Sequence, residues 1–268
     1  MFRCSLFPPF HCSCNVVALA AKLASTPEIP VKSTIVMPQN APIVKRQAVE
    51  AFGGVPVMTE STNEAREQAA EDIRQRTGAT FIHPSEDPRV IAGQGTVCLE
   101  LHAQTTDTPL DTVIIPVGGG GLAAGNTIAL RALYGSNVSI VLAEPAVVDD
   151  AHRSFHSGTL QGHAPDHPLQ TVADGLKTTL GPNTWPVVRD HVDGIITVSE
   201  KDILVATKLV WERLKVCIEP SAGVGVAVLL SEEFRATYGN GAKNVGVILC
   251  GGNADVIKVV QAMKDLGI

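Results

Sequence analysis

Pro116-Val117-Gly118-Gly119-Gly120-Gly121-Leu122-Ala123-Ala124-Gly125 is the stretch on which the fold is read. The apolar run Thr112-Val113-Ile114-Ile115 leads in as a buried parallel strand, and Leu122 to Leu133 leads out as a helix. Four successive glycines remove every Cβ from the turn between them, so backbone N–H groups can crowd around one point at a helix N-terminus. The helix dipole favours an anion there and the bare amides supply donors, so a phosphate is the natural guest. A nucleoside-triphosphate loop would need G-K-[ST] where Leu122-Ala123 stands. Gly118, Gly120 and Gly125 miss the G-x-G-x-x-G spacing of a dinucleotide fingerprint, although Glu144 lies at a suggestive distance. The loop specifies a phosphate and leaves its owner open.

Outward from the loop, strands and helices alternate. Upstream come a helix over Val16–Ala24, a strand at Ser33–Met37 stopped by Pro38, and a helix over Ala41–Phe52 ended by Gly53-Gly54. A strand at Val55–Met58, a polar-faced helix over Asn63–Arg76 and a strand at Ala79–Ile82 follow, and His83-Pro84-Ser85 marks a crossover. A helix over Arg89–Thr105 then precedes the glycine loop. Downstream lie strands at Ser139–Ala143, Ile195–Val198 and Val245–Cys250, with a loop-rich stretch over 157–182. Ser199 is placed to cap a helix through Leu214, Glu219-Pro220 opens another, and a last helix follows Gly251-Gly252-Asn253. This alternation predicts α/β architecture with open, mostly parallel, helix-covered sheets, in a small domain over residues 1–82 and a large one over 83–268.

Composition narrows the function. Apolar residues make up 45% and charged residues 18% of the 268, enough to supply a packed core. Aromatics are 4% and the net charge is −6, which disfavours nucleic-acid stacking platforms and anionic surfaces. No apolar run is long enough to span a bilayer. Cys98, Cys217 and Cys250 stand singly in apolar segments as reduced thiols, which suits a cytoplasmic setting. Residues 1–14, MFRCSLFPPFHCSC, are atypical: Arg3 hints at a signal peptide, but Pro8-Pro9 and His11 break the apolar region. His11, Cys12 and Cys14 are three potential ligands without the second cluster that a zinc site requires.

Seven motifs in one order carry a family resemblance. They are His83-Pro84, Ala92-Gly93-Gln94-Gly95-Thr96, Pro116 to Leu122, Ala143-Glu144-Pro145, Ala173-Asp174-Gly175, Glu219-Pro220-Ser221-Ala222-Gly223 and Cys250-Gly251-Gly252-Asn253. Over residues 16 to 260 the chain resembles the fold-type II pyridoxal-phosphate enzymes of tryptophan synthase β-like fold, and within them the serine racemase and serine/threonine dehydratase family. The resemblance implies that Gly118, Gly119, Gly120, Gly121 and Leu122 hold the phosphate of pyridoxal 5′-phosphate, that Cys250 faces the pyridine nitrogen, and that Glu219 lies near the ring. A neutral thiol at the nitrogen makes a weaker electron sink than a carboxylate partner would, which suits elimination and racemisation over transamination. Alone, Glu219 reads equally as a helix-start acid.

The same resemblance places a divalent metal (Mg²⁺, Mn²⁺ or Ca²⁺) on Glu144, Asp150 and the carbonyl of Val148. Spacing alone gives those residues a solvated acidic loop. Arg213, Lys215 and Asn253 match positions that contact an activating nucleotide, ATP, in serine racemases; by themselves they are surface charges and a turn asparagine. The implied substrates are serine and threonine, and the implied assembly is a homodimer.

One departure stands out. The family links its cofactor as a Schiff base to the lysine of a Ser-x-Lys-x-Arg-Gly-Ala type motif, and no copy occurs in these 268 residues. Where the substrate-carboxylate loop Ser-Ser-Gly-Asn-His is expected, the chain reads His11-Cys12-Ser13-Cys14-Asn15, and Lys22 belongs to the following helix. The sequence therefore reads as a family enzyme whose N-terminal segment is absent or replaced, with no assignable catalytic lysine and negligible activity as written. The competing readings are a non-catalytic relative that binds pyridoxal phosphate or another phosphate and associates with a full-length partner, and a generic Rossmann-like nucleotide binder, which explains only the glycine loop.

Overall fold

A run of β-branched and aliphatic residues, Thr112–Pro116, forms the central strand of the larger sheet in the computed structural model of the chain, which describes residues 13–163 and 169–268. The atypical N-terminus, with the His11 and Cys12 of the cysteine–histidine cluster, lies outside the described residues. Contacts divide the chain into a unit ending at Pro84 and a unit from Ser85 to Ile268.

In the first unit, α1 (Ser13–Ala24), α2 (Ile43–Ala51) and α3 (Asn63–Thr77) pack on β1 (Thr34–Pro38) and β2 (Val55–Thr59). The two strands run parallel, with Thr34 opposite Val55. Ala18, Ile35, Val36, Met37, Val49, Ala70 and Ile73 form their core. Thr62 caps α3 by accepting from the Ala65 amide at 3.2 Å, and Gly78, with φ of 66°, ends it. The strand expected at Ala79–Ile82 is absent: only an isolated bridge forms at Thr80. Phe81 is exposed and Pro84 has no N–H, so the segment offers neither a buried alternation nor a continuing ladder.

In the second unit, α4 (Pro88–Gln104) precedes β3 (Thr112–Pro116), and α5 (Gly121–Tyr134) follows the glycine loop. Next come β4 (Ser139–Pro145), α6 (Asp150–Ser157), a short 3₁₀ turn at Asp174–Leu176, α7 (Trp185–His191) and β5 (Gly194–Val198). The chain continues through α8 (Glu200–Arg213), α9 (Pro220–Leu230), α10 (Glu232–Tyr238), β6 (Val245–Val247) and α11 (Val256–Asp265). The sheet order is β5-β4-β3-β6, all parallel. Successive side chains alternate between faces, so Val113, Ile115, Ile140 and Leu142 enter one core while Ile114, Val141 and Ala143 enter the other. Helices cover both faces, which is why β3 reads as a continuous apolar run.

Two local differences have simple causes. The strand expected to reach Cys250 ends at Val247. Ile248 still donates to the Ile114 carbonyl at 3.0 Å, but the chain then turns, and Gly251 gives its carbonyl to the Glu219 amide at 3.0 Å. Helices α6, α7 and α10 span only 8, 7 and 7 residues, too short for an apolar period to emerge from the sequence. Ser199 caps α8 as the sequence predicts, accepting from the Asp202 amide at 3.2 Å. Among the described residues no helix is long and apolar enough to cross a membrane.

Gly95 in α4 and Gly125 in α5 let the two helices cross closely. A Cβ on Gly125 would sit 2.1 Å from the Ile91 carbonyl oxygen, and one on Gly95 would sit 2.6 Å from the Gly125 carbonyl oxygen. Asn126 locks this crossing, accepting from the Cys98 amide at 3.0 Å and donating to the Leu122 carbonyl at 2.9 Å. Cys98 itself is fully buried, and that burial pushes its thiol up to about 12.

Candidate functional site

Parallel strands all end on one edge, and the sheet order reverses beside β3, with β4 and β5 on one side and β6 on the other. A ligand crevice in an open α/β sheet opens outside the carboxyl ends of the strands at such a reversal. Here the loops after β3 and β6 border that point: Gly118–Gly121 follows one, and Cys250–Asn253 follows the other.

Val117 through Gly121 are buried. The Val117 amide still donates to the Ala143 carbonyl at 3.0 Å, but among the described residues the amides of Gly118, Gly119 and Gly120 meet no acceptor. Three unpartnered buried N–H groups at the start of a 14-residue helix are donors held for an outside acceptor. Gly120 is the N-cap residue, with φ of 83°.

The glycines also meet a second demand, from behind. A Cβ on Gly118 would approach Leu176 Cα to 2.9 Å, one on Gly119 would approach Ser85 Oγ to 2.7 Å, and one on Gly120 would approach Leu180 Cδ2 to 2.6 Å. The loop is thus seated on residues 176–184. Thr184, fully buried, donates to Glu86 Oε1 at 2.8 Å with the Gly119 carbonyl oxygen at 3.1 Å, and it accepts from the Gly181 amide at 3.0 Å. Glu86 Oε2 accepts from the Asn183 amide at 2.7 Å. Sequence reasoning missed Glu86 and Thr184: they lie 98 positions apart, and no local motif marks either.

Glu219 is buried at the N-cap of α9, and Ser221, two residues on, accepts from the Gly175 amide at 2.8 Å. Cys250 is partly buried and packs against two apolar clusters. The hydrogen bond from Glu219 to Gly251 ties these two segments side by side.

At the end of β4, Glu144 and Asp150 are both 1% exposed. Glu144 accepts from the Ala151 and His152 amides at 2.9 and 2.8 Å, so it caps the first turn of α6. Asp150 Oδ2 accepts from the Leu180 amide at 3.1 Å, while Oδ1 has no hydrogen-bond partner. His163 Nδ1 lies 3.6 Å from that oxygen, with its other ring nitrogen 2.7 Å from the Lys177 carbonyl. Burial, and next the Asp150 charge, push the Glu144 carboxyl well above the carboxylate range; burial also pushes Asp150 up to about 7. Val148, two residues before Asp150, is buried and donates its amide to the Pro145 carbonyl at 3.0 Å. Among the described residues, no group of three or more His, Cys, Asp or Glu side chains is arranged to hold a metal ion.

Among the described residues no hydrogen bond or ion pair joins the three nucleotide candidates. Arg213 is exposed at the end of α8, and exposed Lys215, with φ of 60°, donates to the Glu212 carbonyl at 2.6 Å. Asn253 is partly exposed on the neighbouring segment, where a Cβ on Gly252 would lie 2.8 Å from the Cys217 carbonyl oxygen.

The profile of the pyridoxal-phosphate dependent enzymes matches residues 13–251. Serine racemase of Rattus norvegicus is 45% identical over 243 residues, covering 90% of this chain and 69% of the relative. The solved structure of maize serine racemase superposes with a TM-score of 0.88 at 38% identity, covering 98% of this chain and 77% of that one. This chain belongs to the serine racemase family of pyridoxal-phosphate-dependent enzymes. The solved structure of a T.th. threonine deaminase has a TM-score of 0.83 at 36% identity, covering 94% of this chain and 78% of that one, so the family's α/β fold extends across both activities.

The residues present fit the family cofactor. Unpartnered buried amides at a helix N-terminus suit its phosphate, and the Gly120 backbone, with φ of 83°, is held in place by the packing behind it.

Proposed function

We propose that Gly118, Gly119, Gly120, Gly121 and Leu122 bind the phosphate of pyridoxal 5′-phosphate, with Cys250 at the ring nitrogen and Glu219 near the ring. The observation that carries this reading is the set of three buried amides without an acceptor among the described residues. Bound there, the cofactor would supply an electron sink for negative charge at the Cα of an amino acid. The chain's own part is to anchor the phosphate, orient the ring and leave the ring nitrogen facing a thiol. The reaction class we infer is racemisation of serine with loss of water from serine or threonine, in a cytoplasmic homodimer.

Pyridoxamine 5′-phosphate tests the anchor, because its amine does not couple to lysines. It should bind in equilibrium dialysis, pyridoxamine without phosphate should not, and Gly120→Ala should weaken binding at least about tenfold, since φ of 83° and the Leu180 contact both exclude a Cβ. Equal binding of both compounds would overturn the assignment.

The acidic pocket is the second part of the proposal. Glu144, Asp150 and the Val148 carbonyl hold Mg²⁺, Mn²⁺ or Ca²⁺; the support is two buried carboxyl groups and an oxygen without a hydrogen-bond partner. Mg²⁺ should raise the melting temperature, and Asp150→Ala should abolish that rise. A rise that survives the substitution removes Asp150 from the site. Arg213, Lys215 and Asn253 are assigned to an activating nucleotide such as ATP on the family resemblance, supported by the adjacency of their two segments.

A specific observation favours a further reading for the chain as it stands. The 268 residues contain no cofactor-linking lysine motif, so we infer a binding protein with negligible turnover, able to associate with a lysine-bearing partner of the same family.

A further inference from the structure

Helix α6 carries two histidines one turn apart, His152 and His156. Residues four apart share a helix face, and here the rings approach closely: their centroids are 4.1 Å apart with planes tilted by 40°. His156 Nδ1 lies 2.9 Å from the His152 carbonyl oxygen. A carbonyl only accepts, so the proton is on Nδ1 and His156 Nε2 carries its lone pair outward. The His152 ring makes no hydrogen bond to any described residue. His152 is half-buried and His156 exposed, so solvent reaches the pair.

No carboxylate salt-bridges either ring among the described residues. Among the described residues each imidazole keeps a ring nitrogen free of protein hydrogen bonds, so the pair offers two donors side by side on one helix face. A zinc ion with Zn–N bonds of about 2.0–2.1 Å and tetrahedral angles needs its two nitrogens roughly 3.3 Å apart, a spacing of the same order as the 4.1 Å between the two ring centroids. Imidazole nitrogens select borderline cations over hard ones. We propose that His152 and His156 form a surface binding site for a borderline divalent transition-metal ion (Zn²⁺, Ni²⁺ or Cu²⁺), with water in the remaining positions. The absence of a third ligating side chain among the described residues makes the site open and the ion exchangeable.

This site is distinct in chemistry from the oxygen pocket at Glu144 and Asp150, although the His152 amide donates to Glu144 at 2.8 Å. The two are separated by the choice of ion. Calorimetric titration of the full chain with Zn²⁺, in excess Mg²⁺, is compared across wild type, His152→Gln, His156→Gln and the double variant. Thiols elsewhere in the chain bind zinc equally in all four, so the difference between proteins isolates the pair. The expected result is one Zn²⁺ fewer for the double variant, an affinity at least tenfold weaker at this site for each single variant, and no displacement by Mg²⁺. Identical zinc stoichiometry and affinity in all four proteins would overturn the proposal, as would displacement of this zinc by Mg²⁺. Circular dichroism on each variant verifies that α6 and the rest of the fold persist; the substitutions lie on a solvent-reached face, where they leave the core unchanged. Failure of the Mg²⁺ thermal shift at Asp150 would leave this result intact.

Discussion

Gly120 and Thr184 show how one loop serves two masters. The glycine run is legible in the sequence as a phosphate turn, yet three of its four residues are glycine also because the chain's own residues 176–184 press against them. The ligand argument therefore rests on unpartnered amides, which only the fold reveals. Thr184 supplies the test at this scale. Thr184→Val keeps shape but strips the hydroxyl from Glu86 Oε1 and from the Gly181 amide. Losing a bond to a charged acceptor costs about 1.5–3 kcal/mol, so the urea midpoint should fall with an unchanged slope. The affinity for pyridoxamine 5′-phosphate should fall with it, because the Gly119 carbonyl beside Thr184 belongs to the loop. An unchanged midpoint and affinity would show that Glu86 and Thr184 do not brace it. No pattern of residues announces this brace: Glu86 reads as one more surface acid before a helix, and its partners lie 97 and 98 positions away.

The elements repeat the lesson with different residues. Strands β3, β4 and β5 were legible because a strand buried on both faces is an unbroken apolar run bounded by turn residues. The strand expected at 79–82 and the far end of β6 were not, because pairing depends on a neighbour that the sequence does not specify. Within α4, Gly93-Gln94-Gly95-Thr96 marks a family motif, while its physical use emerges only at the crossing with α5. There Gly125 faces the Ile91 carbonyl and the Gly95 amide, and backbone cannot move aside as a side chain can. Gly125→Ala should therefore destabilise the second unit by about 3 kcal/mol, at the upper end of overpacking costs, and lower its melting temperature by roughly 6–12 °C. Gly93→Ala, where a Cβ would meet nothing within 4 Å, is the control and should be neutral or slightly stabilising. Equal effects of the two substitutions would refute the close-crossing argument. Because α5 carries the glycine loop at its N-terminus, Gly125→Ala should also weaken phosphate binding.

At the scale of the whole chain, the order of motifs settles the family, and the lysine content decides the last prediction. The ten lysines are Lys22, Lys32, Lys45, Lys177, Lys201, Lys208, Lys215, Lys243, Lys258 and Lys264, and none stands in the family's lysine motif. Lys177 comes nearest to the loop in the chain, flanked by Leu176 and Thr178, both of which meet Gly118. Its own carbonyl is engaged by His163 at 2.7 Å, so its backbone is committed to the wall behind the loop. A single group that is both covalent anchor and proton carrier serves several steps, and its loss is felt in all of them at once. Proton transfer by a positioned base contributes about 10²–10⁴-fold on its own. The substrate-carboxylate loop motif likewise has no copy in these 268 residues, so substrate positioning should fall together with chemistry in the chain as given. Purified and supplied with pyridoxal phosphate, this chain should turn over serine at least about a thousandfold more slowly than a family enzyme that carries the lysine. Borohydride reduction should label its exposed lysines weakly and none of them stoichiometrically. Joining an upstream segment that carries both the lysine and substrate-loop motifs should recover turnover. Rapid racemisation or deamination of serine by the chain alone, with one of its own lysines (Lys177 first among them) labelled at unit stoichiometry, would mean that the fold has recruited a different anchor.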